Sequence, residues 1–301
     1  MVTATEGGLR ELAPGRVGVL SRGQLARREA GQVARNPLML FGLSVVVLLV
    51  VCAFLAPLLA PGDPTTMRLG QRLRPPSADF PFGTDDLGRD ILSRVIWGSR
   101  VSLQIGLIVV GLAGTTGFAL GAAAGYFRGF FDHTIMRGVD IVLAFPPLIL
   151  AMAIASFLGP DLNNAMVAIS LVHIPKYTRL ARSEALTLRE TPFVLAARAS
   201  GASAARIIWR HIVPNSLSSM LVIATLDFGL VILTAASLGF LGLGAQPPTP
   251  EWGLMVADGR KYLLDAPWFA SFPGLTIMVV VIAANVFGDG LRDLLDPRLR
   301  T

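Results

Sequence analysis

The chain has 301 residues, 53% of them hydrophobic and only 15% charged, with 20 Pro, 31 Gly and a mean hydropathy of +0.62. Soluble domains carry about a quarter of their residues as Asp, Glu, Lys and Arg, so this chain lacks the material for a water-facing surface, and the same composition excludes intrinsic disorder. The single Cys52 excludes an intrachain disulfide and a cysteine-based zinc site, and the net charge of +6 has to be read against membrane spans before nucleic acid is considered.

A bilayer core about 30 Å thick takes roughly 20 apolar helical residues. The first run that long is Leu38 to Ala60, entered through Arg35-Asn36-Pro37 and closed by Pro61-Gly62-Asp63-Pro64. Its length and the lack of a small-residue cleavage site downstream argue against a removed signal peptide. Next come a mixed-charge stretch and then Asp90 to Arg100, whose helical alternation of apolar and charged residues predicts a segment lying along the outer interface. The second run is Val101 to Phe127. In it Gly117, Gly121 and Gly125 recur at every fourth residue, which predicts a bare face for close helix packing. A third run, Ile141 to Pro160, holds Pro146-Pro147 and should be kinked. The fourth, Leu162 to Pro175, reaches spanning length only if Lys176 and Arg179 snorkel to an interface. Ile212 to Leu243 and Ala266 to Gly288 complete six, between them an outer loop in which Trp252, Tyr262 and Trp268 should sit at headgroup level.

The predicted fold is therefore an all-α, polytopic membrane protein with six transmembrane helices. Residues 1–37 form an inner segment, 38–290 the membrane domain with outer loops 61–100 and 244–268, and 291–301 a tail. With both termini inside, 18 of the 26 basic residues lie on the inner side, which the positive-inside rule favours.

Residues 187–215 carry the most information. Thr191-Pro192 should cap and start a helix running to Ser200, Gly201 should stop it in the left-handed region, and Ser203 should cap a second short helix ending before Pro214. Each helix is too short to hold alone in water, so a partner surface is expected to hold the pair. Ala196 and Ala197 give a small face, with Phe193, Val194 and Leu195 as apolar contacts suited to a groove on another protein. The alternative is a pair of amphipathic helices on the inner leaflet, to which Arg198, Arg206 and Arg210 would contribute.

This stretch resembles the EAA loop of permease subunits of ABC importers: Ala196, Ala197, Gly201, Val213 and Pro214 match the pattern in register, while Leu195 stands in place of its Glu and His211 in place of its first apolar residue. FGTDDLGRDILSRVIWGSRVSL, SLGFLGLGAQPPTPEWG and NVFGDGLRDLLDPR further resemble the C-type permease of dipeptide and oligopeptide importers. The resemblance implies a type I permease fold in the cell membrane and a cytoplasmic helix-turn-helix coupling segment at 187–213. It also implies a second homologous permease, two ATPase chains or one fused ATPase, and an extracytoplasmic substrate-binding protein. Transport would run by alternating access. No catalytic, cofactor or metal residues are expected in this chain, with ATP and Mg held by the ATPases and no nucleic acid involved.

The residues themselves agree on one point, since no G-x-x-x-x-G-K-[ST] sequence exists to cradle a nucleotide. Asp227, an acid inside an apolar run, is either a pathway residue, or is paired with a neighbouring span or close to the inner water boundary. His173 reads as an interface histidine. The Pro-rich loop before the last span should present Glu251, Asp258, Arg260 and Lys261 outward as a polar surface, with Arg260 and Lys261 candidates for an outer dock; the alternative is a packing lid over the partner permease. A secondary transporter or channel acting without an ATPase is the rival reading; it would call for several buried charges and inverted repeats.

Overall fold

The computed structural model describes residues 36–295, all of it helix and connecting loop apart from one isolated bridge between Thr84 and Asp90. The greater part of the inner segment and the last six residues of the tail, with Arg298 and Arg300, lie outside the described residues. Helix α1 spans Pro37–Leu59, started by Asn36, whose side chain accepts from Leu38 N and Met39 N at 3.1 Å each. One face (Met39, Leu49, Ala53, Ala56) is buried, and the opposite face exposes Leu38, Phe54 and Leu58. An exposed apolar face of that extent suits lipid.

Helix α2, Ile91–Phe127, is a single rod of 37 residues, about 55 Å at 1.5 Å per residue. The interfacial segment expected at Asp90 to Arg100 is instead the first turns of this helix. Its amphipathic face has protein to cover it: Arg94 donates to Pro64 O at 3.1 Å and to Pro248 O at 3.4 Å, and Trp252 donates to Val95 O at 3.0 Å. The preceding loop is ordered by a buried network in which Arg89 bonds Asp85 at 2.5 Å and Arg94 approaches the same carboxylate at 3.7 Å.

Helices α3 (Gly129–Leu143) and α4 (Pro147–Leu158) meet at a 92° bend. Pro146 and Pro147 lack the N–H groups that would carry α3 onward, and each disfavours helix at the residue before it, so the expected kink is a full break. Helix α5, Leu162–Leu188, runs through Pro175 unbroken and packs along α2. The contact is made at the α2 glycines. A Cβ at Gly117 would meet Ile174 O at 2.8 Å, one at Gly121 would overlap Thr178 O, and one at Gly125 would meet Arg182 O at 2.7 Å.

A short helix α6, Pro192–Ala199, precedes α7, Ala204–Phe240, a second 37-residue rod. In the loop after α7 lies helix α8, Trp252–Gly259, and α9, Trp268–Leu295, closes the described chain. Trp252 is almost fully buried with its indole on Val95 O of α2, and Trp268 donates to Thr84 O at 3.3 Å, so these tryptophans tie the α7–α9 connection to the start of α2 and the loop before it, where headgroup anchors were expected. Together with Ile91, Val95, Met255 and Phe269 they belong to one apolar core.

Glu251 starts α8, accepting from Gly253 N at 2.8 Å and Leu254 N at 2.7 Å while only 3% exposed. It was expected on an outer polar surface; its capping duty draws it inside. Burial pushes its carboxyl up to about 7, against the pull of the two N–H donors. The folded state therefore holds a proton that the unfolded chain releases near pH 4.5, and stability should fall as pH rises from about 4.5 to 7. Melting temperatures of the purified protein across that range should decline in the wild type and decline less in Glu251→Gln, which keeps a capping oxygen but cannot ionise.

By length and composition, four described helices can cross a membrane (α1, α2, α7, α9), and the bent pair α3–α4 makes a fifth if it counts as one span. Helix α5 has the length but carries Lys176, Arg179, Arg182 and Glu184 in its second half.

Candidate functional site

Two places concentrate chemistry. The first is the hairpin of α6 and the start of α7. Pro192 is the first residue of α6, but the Thr191 hydroxyl donates to Leu188 O at 2.5 Å, so it makes no cap bond to the helix it precedes. Gly201 adopts φ +79°, the left-handed stop, with Gly201 N on Arg198 O and Ala202 N on Ala197 O. Ser203 accepts from Arg206 N at 3.4 Å and opens α7.

The second arm was expected to end before Pro214; it does not. Ile208–Ile212 widen into a π-type turn, after which Val213–Phe240 continue as α-helix through Pro214. A proline cannot donate to the carbonyl one turn back, and the wider turn takes up that mismatch. Asn215 Nδ2 then satisfies His211 O at 2.6 Å, and the Ser216 hydroxyl satisfies Ile212 O at 3.0 Å.

The hairpin is held by its own chain, where a partner surface was expected to hold it. Val194, Ile207 and Ile212 are fully buried with Ala185 of α5, and Phe118, Tyr126 and Leu188 pack against them. Arg189 donates to Tyr126 O at 2.7 Å, and Arg128 pairs with Glu190 at 3.2 Å, tying the α5–α6 corner to the end of α2. Burial turns Val194 and, in part, Ala197 inward. Exposed apolar surface remains at Phe193, Leu195 and Trp209, the last 71% exposed, with Ala196 and Gly201 also exposed. Of the matched motif, Val213 is half-buried and Pro214 exposed.

The second place is the middle of α7. Asp227 is fully buried against α5, and both its oxygens are occupied: Oδ2 accepts from His173 Nδ1 at 2.9 Å and Oδ1 from Lys176 Nζ at 2.8 Å. His173 therefore stands inside the helix packing, not at an interface. Lys176, expected to snorkel, is turned to this carboxylate, and Arg179 reaches Asp140 of α3 at 2.8 Å. His173 and Lys176 were not linked to Asp227 in the sequence, although their i, i+3 spacing puts them on one helix face.

Arg260 and Lys261 are both exposed beyond the end of α8. Arg260 lies over the Phe240 ring at 5.0 Å, a cation–π contact with the end of α7. Glu251, with which they were grouped, is buried, and Asp258 is half-buried. Burial, followed by the nearby Asp86 charge, raises the Asp258 carboxyl. Among the described residues no group of three or more His, Cys, Asp or Glu side chains could hold a metal ion.

Residues 117–301 match the family of binding-protein-dependent transport system inner membrane components, and residues 21–76 match the N-terminal transmembrane domain of oligopeptide transport permease C. The chain belongs to the first of these families and is a multi-pass inner-membrane transport subunit. It is 48% identical over 270 residues to the dipeptide transport system permease protein DppC of Alkalihalophilus pseudofirmus, covering 90% of this chain and 89% of that one. It is 49% identical over 263 residues to the probable D,D-dipeptide transport system permease protein DdpC of Escherichia coli, covering 87% and 88%. In fold it is similar to a chain of the MetNI methionine ABC transporter in an inward-facing form, with a TM-score of 0.54 at 19% identity over 66% of this chain and 95% of that chain.

Proposed function

We propose that this subunit is one of two homologous permeases of an ATP-driven importer of dipeptides or oligopeptides, and that it forms half of an alternating-access pathway. The hairpin carries the reading: a helix turn anchored by its own buried residues leaves Phe193, Leu195 and Ala196 exposed on α6. Ala196, Ala197, Gly201, Val213 and Pro214 form the coupling segment on which ATPase chains holding ATP and Mg dock. The spans number six, with α3–α4 as one broken span and α5 as another, its Lys176, Arg179 and Arg182 paired to Asp227, Asp140 and Asp132. Both termini face the cytoplasm. The close packing at Gly117, Gly121 and Gly125 keeps α2 and α5 as one body during the cycle.

A second permease is supported by an apolar groove of about 540 Å³ between α2 and α7, lined by Gly114, Phe118, Ala122, Trp209 and Leu221. The outer face with Arg260 and Lys261 receives an extracytoplasmic substrate-binding protein.

The test is reconstitution in lipid vesicles of this chain with its second permease, ATPases and binding protein. Dipeptide uptake should require ATP, and peptide-loaded binding protein should stimulate hydrolysis. Charge reversal of Arg260 and Lys261 to Glu should reduce that stimulation several-fold while leaving basal hydrolysis and assembly intact. ATP-independent uptake by this chain alone would replace the reading with a secondary transporter.

A further inference from the structure

Helix α5 exposes two different surfaces. In its first half the exposed apolar positions are Val167 and Leu171, as contact with lipid requires. In its second half Lys176, Arg179, Ser183 and Thr187 follow one another at spacings of three, four and four residues, so they form one stripe, and all four are exposed. Charge is costly against hydrocarbon, and a polar stripe on a helix packed lengthwise among apolar spans belongs to a water-filled passage.

Lys176 stands at the deep end of this stripe. Its side chain is 42% exposed, and it bonds to a carboxylate that has no exposure at all. An ammonium has three donors. The bond to Asp227 uses one and aims the group, while His173 on the other carboxylate oxygen holds Asp227 in place. A cation anchored in this way, part buried and part open to the stripe, can take a second carboxylate. The fixed counter-ion keeps that second interaction weak, which a site on a pathway needs if it is to release what it binds.

We propose that Lys176, positioned by Asp227 and His173, is a carboxylate-binding station on the translocation pathway that receives the C-terminal carboxylate of a peptide in transit. The proposal rests on the peptide-importer reading above. A merely structural pair would serve to neutralise Asp227 and nothing more, and the two roles separate experimentally. Removing one member of a buried pair leaves an uncompensated charge, whereas neutralising both does not.

The experiment uses the complete reconstituted complex in a Cys52→Ala background. Lys176→Cys should lower uptake of a free-acid dipeptide about tenfold, the loss of one charge-assisted contact during passage. Treatment with aminoethyl methanethiosulfonate, which restores an ammonium, should recover most of it, and the sulfonatoethyl reagent should not. Failure of both reagents to reach the introduced thiol, or equal recovery with both, overturns the proposal. The double variant Lys176→Met/Asp227→Asn should assemble, with uptake still depressed. Recovery of uptake in that variant shows a structural pair and also overturns it. If the wild-type complex itself takes up no dipeptide, the importer reading fails together with this one; normal wild-type uptake with unaffected variants removes this one alone.

Discussion

Ala196→Trp is expected to leave the subunit folded and inserted while lowering coupled uptake tenfold or more. Ala196 is exposed on α6, so the indole displaces no contact within the described chain, but it blocks close approach of any partner to the exposed face that Ala196 shares with Phe193 one turn before it. Basal ATP hydrolysis by the ATPases should persist while transport is lost, and that split is the signature to measure. Ala197→Trp makes the contrast, because Ala197 packs toward the buried Val194 and Ile207, and overfilling such a site costs about 1–3 kcal/mol in the fold itself. At Gly201 a Cβ would meet nothing within 4 Å, so substitution there acts through the backbone alone. Its φ of +79° makes Val far worse than Asn, a residue that tolerates the left-handed region. Wild-type uptake in Ala196→Trp would remove the dock from this face.

Gly121→Leu is expected to abolish accumulation of the subunit. Its Cβ would overlap Thr178 O and stand 2.7 Å from the Ala181 methyl, so α2 and α5 would have to separate along their shared length. Backbone atoms cannot give way as the end of a flexible side chain can, and the cost should exceed the roughly 1–3 kcal/mol of ordinary overpacking. Gly138→Leu on α3, where nothing lies within 4 Å of the added Cβ, serves as the control and should accumulate normally. The measurement is the monodisperse yield of detergent-purified complex for each variant. Equal yields would mean that the two helices do not depend on the close approach.

The apolar runs were legible because the bilayer imposes a length that composition alone reveals: α1 and α9 begin within two residues of where the sequence placed them. The turn at Gly201 was legible for a local reason, since a glycine behind a short helix has few other uses. What failed were readings that needed a long-range partner. Asp90 to Arg100 has the pattern of an interfacial helix, and only Trp252 and Pro248, more than 150 residues away, make it the buried start of α2. Trp252 has the composition of a headgroup anchor, yet its indole N–H finds a carbonyl inside. The partner of Asp227 had two possible addresses, a neighbouring side chain or the pathway, and sequence spacing on α7 alone could not show that His173 and Lys176 of α5 face it. Pro214 read as a helix end because proline cannot extend a regular α ladder; the π-type turn before it is a solution that propensity does not anticipate.

The uninterrupted run of α7 from Ala204 to Phe240 has a mechanical consequence. At 1.5 Å per residue the rod is about 55 Å long, so a tilt of about 5° about its midpoint carries each end roughly 2.4 Å, in opposite directions. Asp227 lies past that midpoint and would travel less than either tip. A lever of this kind needs no flexible joint to deliver a push from the Ser203 end to the Arg260–Phe240 contact at the other. The π-type turn at Ile208–Ile212 is where this run departs from regular α geometry, close to the Ser203 end. Stiffening or loosening that short section should therefore change how much of an applied displacement arrives, without altering either of the surfaces it connects.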